Sequence, residues 1–191
     1  TWSQVGSPLF SDEVVRAAIA PNDGDILAVS RNSSLEISFN GGQTFRYKAN
    51  GLPNANITDI AFAPHSDSII IVTYGTHQNN GEKVFISTDQ GTSWTNITGN
   101  LGDMPIRSVV IDDSPDHNIY LGAEIGVYVK PLLANNWFLY NSGLPNMTVT
   151  DLEIMQGANI LRAATWGRGM WQISLKDRAD YPKIRQTNLE H

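Results

Sequence analysis

Arg16, Asp59, Ser108 and Asp151 hold one position of a recurring pattern, separated by 43, 49 and 43 residues. Two carboxylates at matched positions can divide the work of a general acid and a general base. Asp59 and Asp151 are therefore the candidate catalytic pair. Carboxyl groups about 5 Å or 6.5–9.5 Å apart suit the two stereochemical courses of glycoside hydrolysis. The plainer role is to hydrogen-bond neighbouring strands or to face solvated channel water. Arg16 shares the position and is a candidate ligand contact. Tyr74, Trp166 and Arg168 form a second candidate set, because aromatics at the ends of second strands or in the loops after them can stack on sugar rings. Trp166 could equally pack beside Trp171.

These positions must be held by repeated strands. Val14–Pro21, Ile57–Pro64, Ile106–Ile111 and Val149–Ile154 are β-branched runs, each followed by a turn rich in Asn, Asp, Gly or Pro and then by a second run. A third run follows at Leu35–Phe39, Lys83–Ser87, Gly126–Val129 and Gly169–Ile173. Short fourth runs occur at Arg46–Lys48, Thr95–Ile97 and Phe138–Tyr140. No sustained helical period intervenes. A 43–49-residue unit of four short strands is the period of a propeller blade. The expectation is an all-β chain of four four-stranded antiparallel β-propeller blades, with about 15–16 strands. If Arg16, Asp59, Ser108 and Asp151 lie on the innermost strands, alternation can turn them into the central channel.

Ser87-Thr88-Asp89-Gln90-Gly91-Thr92-Ser93-Trp94 resembles an Asp-box, the repeat of sialidases, xyloglucanases and sortilin-like propellers. Ser38, Asn40, Gly42 and Phe45 give a near copy, and only Asn136-Trp137 survives in the third unit. In this motif the Asp or Asn bonds turn amides, Gly takes positive φ, and the aromatic packs into the sheet or between blades. The resemblance implies structural roles for Ser38, Asn40, Gly42, Phe45, Ser87, Asp89, Gly91, Trp94 and Trp137. The last unit, with Gly167-Arg168-Gly169 before its final strand, resembles the closing blade of bacterial extracellular Asp-box propellers.

The blades are expected at about residues 7–50, 51–100, 101–142 and 143–175. The fourth lacks a box and a fourth strand, and Trp2-Ser3-Gln4-Val5 matches a box Trp and the strand after it. Residues 1–6 are therefore expected to complete it. Residues 176–188 are read as a linker or tail, and 189–191 as a tag remnant.

Other chemistry is thin. The net charge of −6 argues against nucleic acid as partner, and no apolar run suits insertion into a membrane. Cysteine is absent, and His65, His77 and His117 have no metal-ligand spacing, so neither cofactor nor metal is expected. The acidic turn Asp112, Asp113, Asp116 could offer oxygens to calcium, but a solvated turn is the simpler reading. Sequons at Asn32, Asn56, Asn96 and Asn146 carry little meaning in a bacterial protein. Resemblance points to a secreted or cell-surface module that binds polysaccharide or protein as a scaffold. The alternative is part of a xyloglucanase- or sialidase-like glycoside hydrolase. Open blade edges allow a homodimer.

Overall fold

A computed structural model describes residues 1, 5, 13–77 and 81–175. Fifteen strands form among them, with two single 3-10 turns at Gly99–Leu101 and Gln156–Ala158. Leu101 is buried within the first turn. No described helix is long and apolar enough to cross a membrane.

Blade one comprises β1 (Arg16–Ile19), β2 (Ile26–Arg31), β3 (Ser34–Phe39) and β4 (Arg46–Tyr47). Blade two is β5 (Ile57–Ala63), β6 (Ser66–Tyr74), β7 (Val84–Ser87) and β8 (Thr95–Asn96). Blade three is β9 (Ile106–Ile111), β10 (Ile119–Ala123), β11 (Gly126–Lys130) and β12 (Phe138–Leu139). Blade four shows β13 (Val149–Met155), β14 (Ile160–Thr165) and β15 (Met170–Ser174). Each sheet is an antiparallel meander in chain order, four-stranded in the first three blades and three-stranded in the fourth. The expected completing strand of residues 1–6, apart from Thr1 and Val5, and the tail at 176–191 lie outside the described residues, as do residues 7–12 and 78–80.

The first strands pack side by side, β1 on β5, β5 on β9 and β9 on β13, with no comparable packing of β13 back onto β1. The blades therefore form an arc. Apolar cores lie between successive blades: Leu35, Ile57 and Tyr74 between one and two, Val84, Ile119 and Trp137 between two and three, and Val127, Val149 and Leu161 between three and four. Strands buried on both faces explain why β6, β10 and β11 read as nearly unbroken apolar runs.

The meander sorts the connections onto two faces. Turns between strands one and two, and three and four, lie on one face; Gly41 N–H donates to Asp25 O and Gln90 N–H to Ser68 O there. Loops between strands two and three share the other face with the connections between blades, and Trp166 N–H donates to Thr148 O across it.

Candidate functional site

Asp59, Ser108 and Asp151 come together at the channel side of the arc. Each follows a break in register. Thr58 bulges out between Ile57 and Asp59, Arg107 between Ile106 and Ser108, and Thr150 between Val149 and Asp151. A bulge re-aims the next side chain, here across the gap to the neighbouring blade. Asp59 Oδ2 accepts Val109 N–H at 2.8 Å and Ser108 Oγ–H at 3.0 Å, and its Oδ1 accepts Ile60 N–H at 2.9 Å. Ser108 Oγ in turn accepts Leu152 N–H at 3.1 Å and lies 3.4 Å from Asp151 Oδ1. Leu152 N–H also donates to Asp151 Oδ1 at 3.0 Å. Arg16 extends the row by donating from Nε to Thr58 O at 2.6 Å.

This is a chain of staples between inner strands. Burial raises the Asp59 pKa, opposed by the Val109 amide, Ser108, the Ile60 amide and the Arg16 charge. A raised pKa alone would suit a general acid. Both Asp59 oxygens, however, serve backbone amides of two blades, so its role here is to fix blade two to blade three. Asp151 is more exposed. With Asp59 and Glu153 it lines a channel-side hollow of about 400 Å³.

The other sequence candidates separate. Tyr74, expected at an exposed strand end, is fully buried and meets Phe85 edge to face at 5.9 Å. Burial and the Glu82 charge raise its pKa. It is the last residue of β6, a strand end as expected, but burial leaves it no ring to present to a ligand. Trp166, by contrast, is 79% exposed. It projects from the turn between β14 and β15, which Thr165 closes through N–H and Oγ–H onto Gly169 O at 3.0 and 2.6 Å. Trp171 folds back on that turn, its Nε1–H donating to Arg168 O at 3.1 Å. Arg168 is exposed beside Trp166. Sequence reading missed a polar group on the same face: Glu124 Oε1 is 3.5 Å from His77 Nε2 and 3.8 Å from Arg107 Nη2. Its members are far apart in sequence, and only the bulge that turns Arg107 outward brings them together.

The Ser-x-Asp/Asn-x-Gly turns lie on the opposite face. Ser87 Oγ–H donates to Asp89 Oδ1 at 2.8 Å and accepts Gly91 N–H at 2.8 Å, while Asp89 also accepts Thr92 N–H, Ser93 N–H and Ser93 Oγ–H. Ser38 and Asn40 repeat this network around Gly42 and Thr44. Gly91 has φ +75°, and a Cβ there would lie 2.9 Å from Ile37 Cδ1. These bonds, with the Ser93 hydroxyl foremost, lower the Asp89 pKa to about 2. A folded-state pKa below the ordinary 3.8 makes stability present above that value and lost as pH falls towards 2. Asp89→Asn, which copies blade one, is expected to keep the neutral-pH melting temperature and flatten the acid side of a melting-temperature–pH profile. Asp89→Ala should lower melting at every pH above 4. An unchanged acid limb in Asp89→Asn would contradict the assignment.

Blade three replaces this network. Lys130 stands where Ser38 and Ser87 stand, seven residues before the aromatic. Its buried ammonium donates to Leu132 O at 3.1 Å and Ala134 O at 2.9 Å, with Pro131 O at 3.5 Å and the Trp137 ring 5.5 Å away. Burial lowers its pKa. A cation that gathers carbonyls thus does the work of a hydroxyl and carboxylate that gather amides.

The acidic turn is also resolved into parts. Asp112 is buried and accepts Asn118 N–H at 2.8 Å, Ser114 N–H at 3.2 Å, Asn118 Nδ2–H at 3.0 Å and Tyr120 O–H at 3.2 Å. Asp113 and Asp116 are exposed. No group of three or more His, Cys, Asp or Glu among the described residues is placed to hold a metal ion. His65 and His117, from turns of adjacent blades, stack with ring centroids 3.4 Å apart.

No protein-family model and no curated protein sequence matches the chain. Solved structures do. An ancestral GH74 enzyme is similar at 24% identity and a TM-score of 0.61, over 80% of this chain and 22% of that one. The GH74 xyloglucanase from Xanthomonas campestris is similar at 19% and 0.63, over 84% and 29%. A GH74 enzyme from Niastella koreensis gives 20% and 0.63, over 88% and 29%. The chain spans less than a third of each of these structures. At such identities the likeness establishes fold, and the four sheets are blades of a β-propeller.

Proposed function

We propose that these blades are part of a secreted, Asp-box-type propeller that acts on polysaccharide, and that they supply a wall that binds the glycan. The observation that carries this reading is the exposed indole of Trp166, on the face that loops between second and third strands share with the connections between blades. A flat, exposed aromatic can stack on the apolar face of a pyranose. Arg168 and the His77–Glu124–Arg107 group add hydrogen-bond donors and acceptors on that face. The likeness to a GH74 xyloglucanase supports a β-glucan as ligand. Because Asp59 is bound to amides of two blades, it is read as a staple between blades rather than as the acid of such an enzyme.

Titration of the protein with xyloglucan oligosaccharides by calorimetry tests this. Trp166→Ala is expected to weaken binding about tenfold, the loss of one stacking contact, with unchanged melting. Absence of binding to any β-glucan overturns the proposal. Release of reducing ends that is lost in Asp59→Asn or Asp151→Asn would instead assign catalysis to this pair.

A further inference from the structure

Three segments that meet on the face of Trp166 are held more firmly than exposed loops need to be. The turn Glu124–Gly126, between β10 and β11, is clamped by Asn141. Its Nδ2–H donates to Ile125 O at 2.9 Å, and its Oδ1 accepts Val127 N–H at 2.8 Å. Gly126 has φ +127°, and a Cβ there would lie 2.2 Å from the Asn141 side-chain amide, so the clamp needs glycine. Thr148 Oγ–H donates to Glu124 O at 3.3 Å, and Thr148 O accepts Trp166 N–H at 2.9 Å. The segment after β6 is pinned by Lys83, a fully buried ammonium that donates to Thr76 O and pairs with Asp103 at 2.6 Å. Lys83 thereby ties the residue before His77 to the connection that leads into β9 and Arg107.

These holds converge on three side chains that reach solvent. Glu124 Oε1 lies 3.5 Å from His77 Nε2 and 3.8 Å from Arg107 Nη2. A closed hydrogen bond from nitrogen to oxygen measures about 2.7–3.2 Å, so neither contact is closed. Polar gaps of this width are bridged by water, or by a ligand group that takes its place. The chemistry of the three groups says which ligand group fits. An ionised carboxylate only accepts hydrogen bonds, and a guanidinium only donates them. An anion here would satisfy Arg107 and oppose Glu124, and a cation would do the reverse. A hydroxyl donates to one and accepts from the other.

We infer that Glu124, Arg107 and His77 form a hydroxyl-reading subsite beside Trp166, where adjacent hydroxyls of one sugar ring donate to Glu124 and accept from Arg107 and His77. The inference deepens the glycan reading and rests on it. Thr148 couples the two places, since its carbonyl holds the Trp166 amide and its hydroxyl holds the Glu124 carbonyl. One oligosaccharide therefore meets both. The indole accepts any pyranose with an apolar face, and the polar group adds the requirement for free hydroxyls. The clamps then have a purpose. A surface carboxylate that its ligand had to order would lose affinity to that ordering, and segments already fixed by Asn141 and Lys83 spare the loss.

Calorimetric titration of the full chain with xyloglucan oligosaccharides tests it, with Trp166→Ala run alongside. Glu124→Gln keeps the shape and one acceptor oxygen. It is expected to weaken binding about tenfold, the loss of one charge-assisted hydrogen bond, with unchanged melting. Arg107→Gln takes its place should Glu124→Gln not fold by circular dichroism, and the same loss is expected. Weakened binding in Trp166→Ala with full affinity in the folded Glu124→Gln or Arg107→Gln overturns the subsite and leaves the glycan reading standing. A chitosan oligosaccharide, whose amines are cationic, is the charge control. If it binds more tightly than the neutral ligand and Glu124→Gln abolishes that advantage, charge rather than hydroxyl is read and the inference falls. An unaltered protein that binds no β-glucan overturns both readings together.

Discussion

Trp137→Ala is expected to cost about 3–5 kcal/mol of unfolding free energy, the range for removing a large buried aromatic. Trp137 is 2% exposed and lies between blades two and three among Val84, Leu101, Ile119 and Leu121. Its removal leaves a cavity that sheets on both sides are too stiff to fill. The Ile97 carbonyl loses its indole donor at the same time, while the Asn100 side chain keeps its two bonds to the main chain of residue 137. Lys130 adds a further loss, since its ammonium would face an empty site instead of a ring. Trp94 makes the same indole bond to Lys48 O but is only partly buried, so Trp94→Ala should cost visibly less. Urea denaturation of the two variants measures the difference. Trp137→Phe separates the terms, since it keeps the ring and loses about 1 kcal/mol with the hydrogen bond. Equal midpoints for Trp94→Ala and Trp137→Ala would show that the interface between blades two and three is not the better-packed one.

What could be read in the sequence was local. Strands such as β2, β6 and β10 are signalled by their own β-branched runs and by the turn residues that bound them. The Ser87–Trp94 turn is likewise built from neighbours in sequence, so its network was legible from eight residues. Relations across blades were not legible. Asp59 carries the composition of a catalytic acid, and only the register break at Thr58 and the amide of Val109 fifty residues later make it a staple. Tyr74 fell at a strand end by pattern, yet the following blade covers that end, because Gly75 lets Thr58 and the Ile106 carbonyl approach closely. Lys130 was invisible as part of a turn network because it inverts the polarity of the motif: it donates where Ser87 and Asp89 accept. A spacing count back from Trp137 could have found it. Asp112 was read with its acidic neighbours as one cluster, although burial sets it apart from Asp113 and Asp116.

That separation leads to the second large effect. Asp112→Ala is expected to destabilise the protein by about 3–5 kcal/mol, and neither calcium nor a chelator should shift the melting temperature of the unaltered chain. A buried carboxylate persists only when its oxygens are filled by donors. Asp112 takes two backbone amides, from Ser114 and Asn118, together with the Asn118 amide group and the Tyr120 hydroxyl. Truncation strands these donors in a dry turn, and each unsatisfied one costs about 1–3 kcal/mol. The damage spreads because Asn118 sits at the head of β10 and Tyr120 packs at 5.8 Å from Tyr140 in the interface to blade four. A metal ion would compete with those same donors for the same oxygens, so the geometry that makes Asp112 costly to lose also makes it a poor ligand. Asp112→Asn is the informative intermediate: it keeps one acceptor oxygen for the amides but opposes its own N–H groups to the Asn118 side chain. It should fall between the unaltered protein and Asp112→Ala in urea midpoint. A calcium-dependent rise in melting temperature that disappears in Asp112→Asn would assign the turn to metal binding, and an unaltered midpoint in Asp112→Ala would remove its structural role.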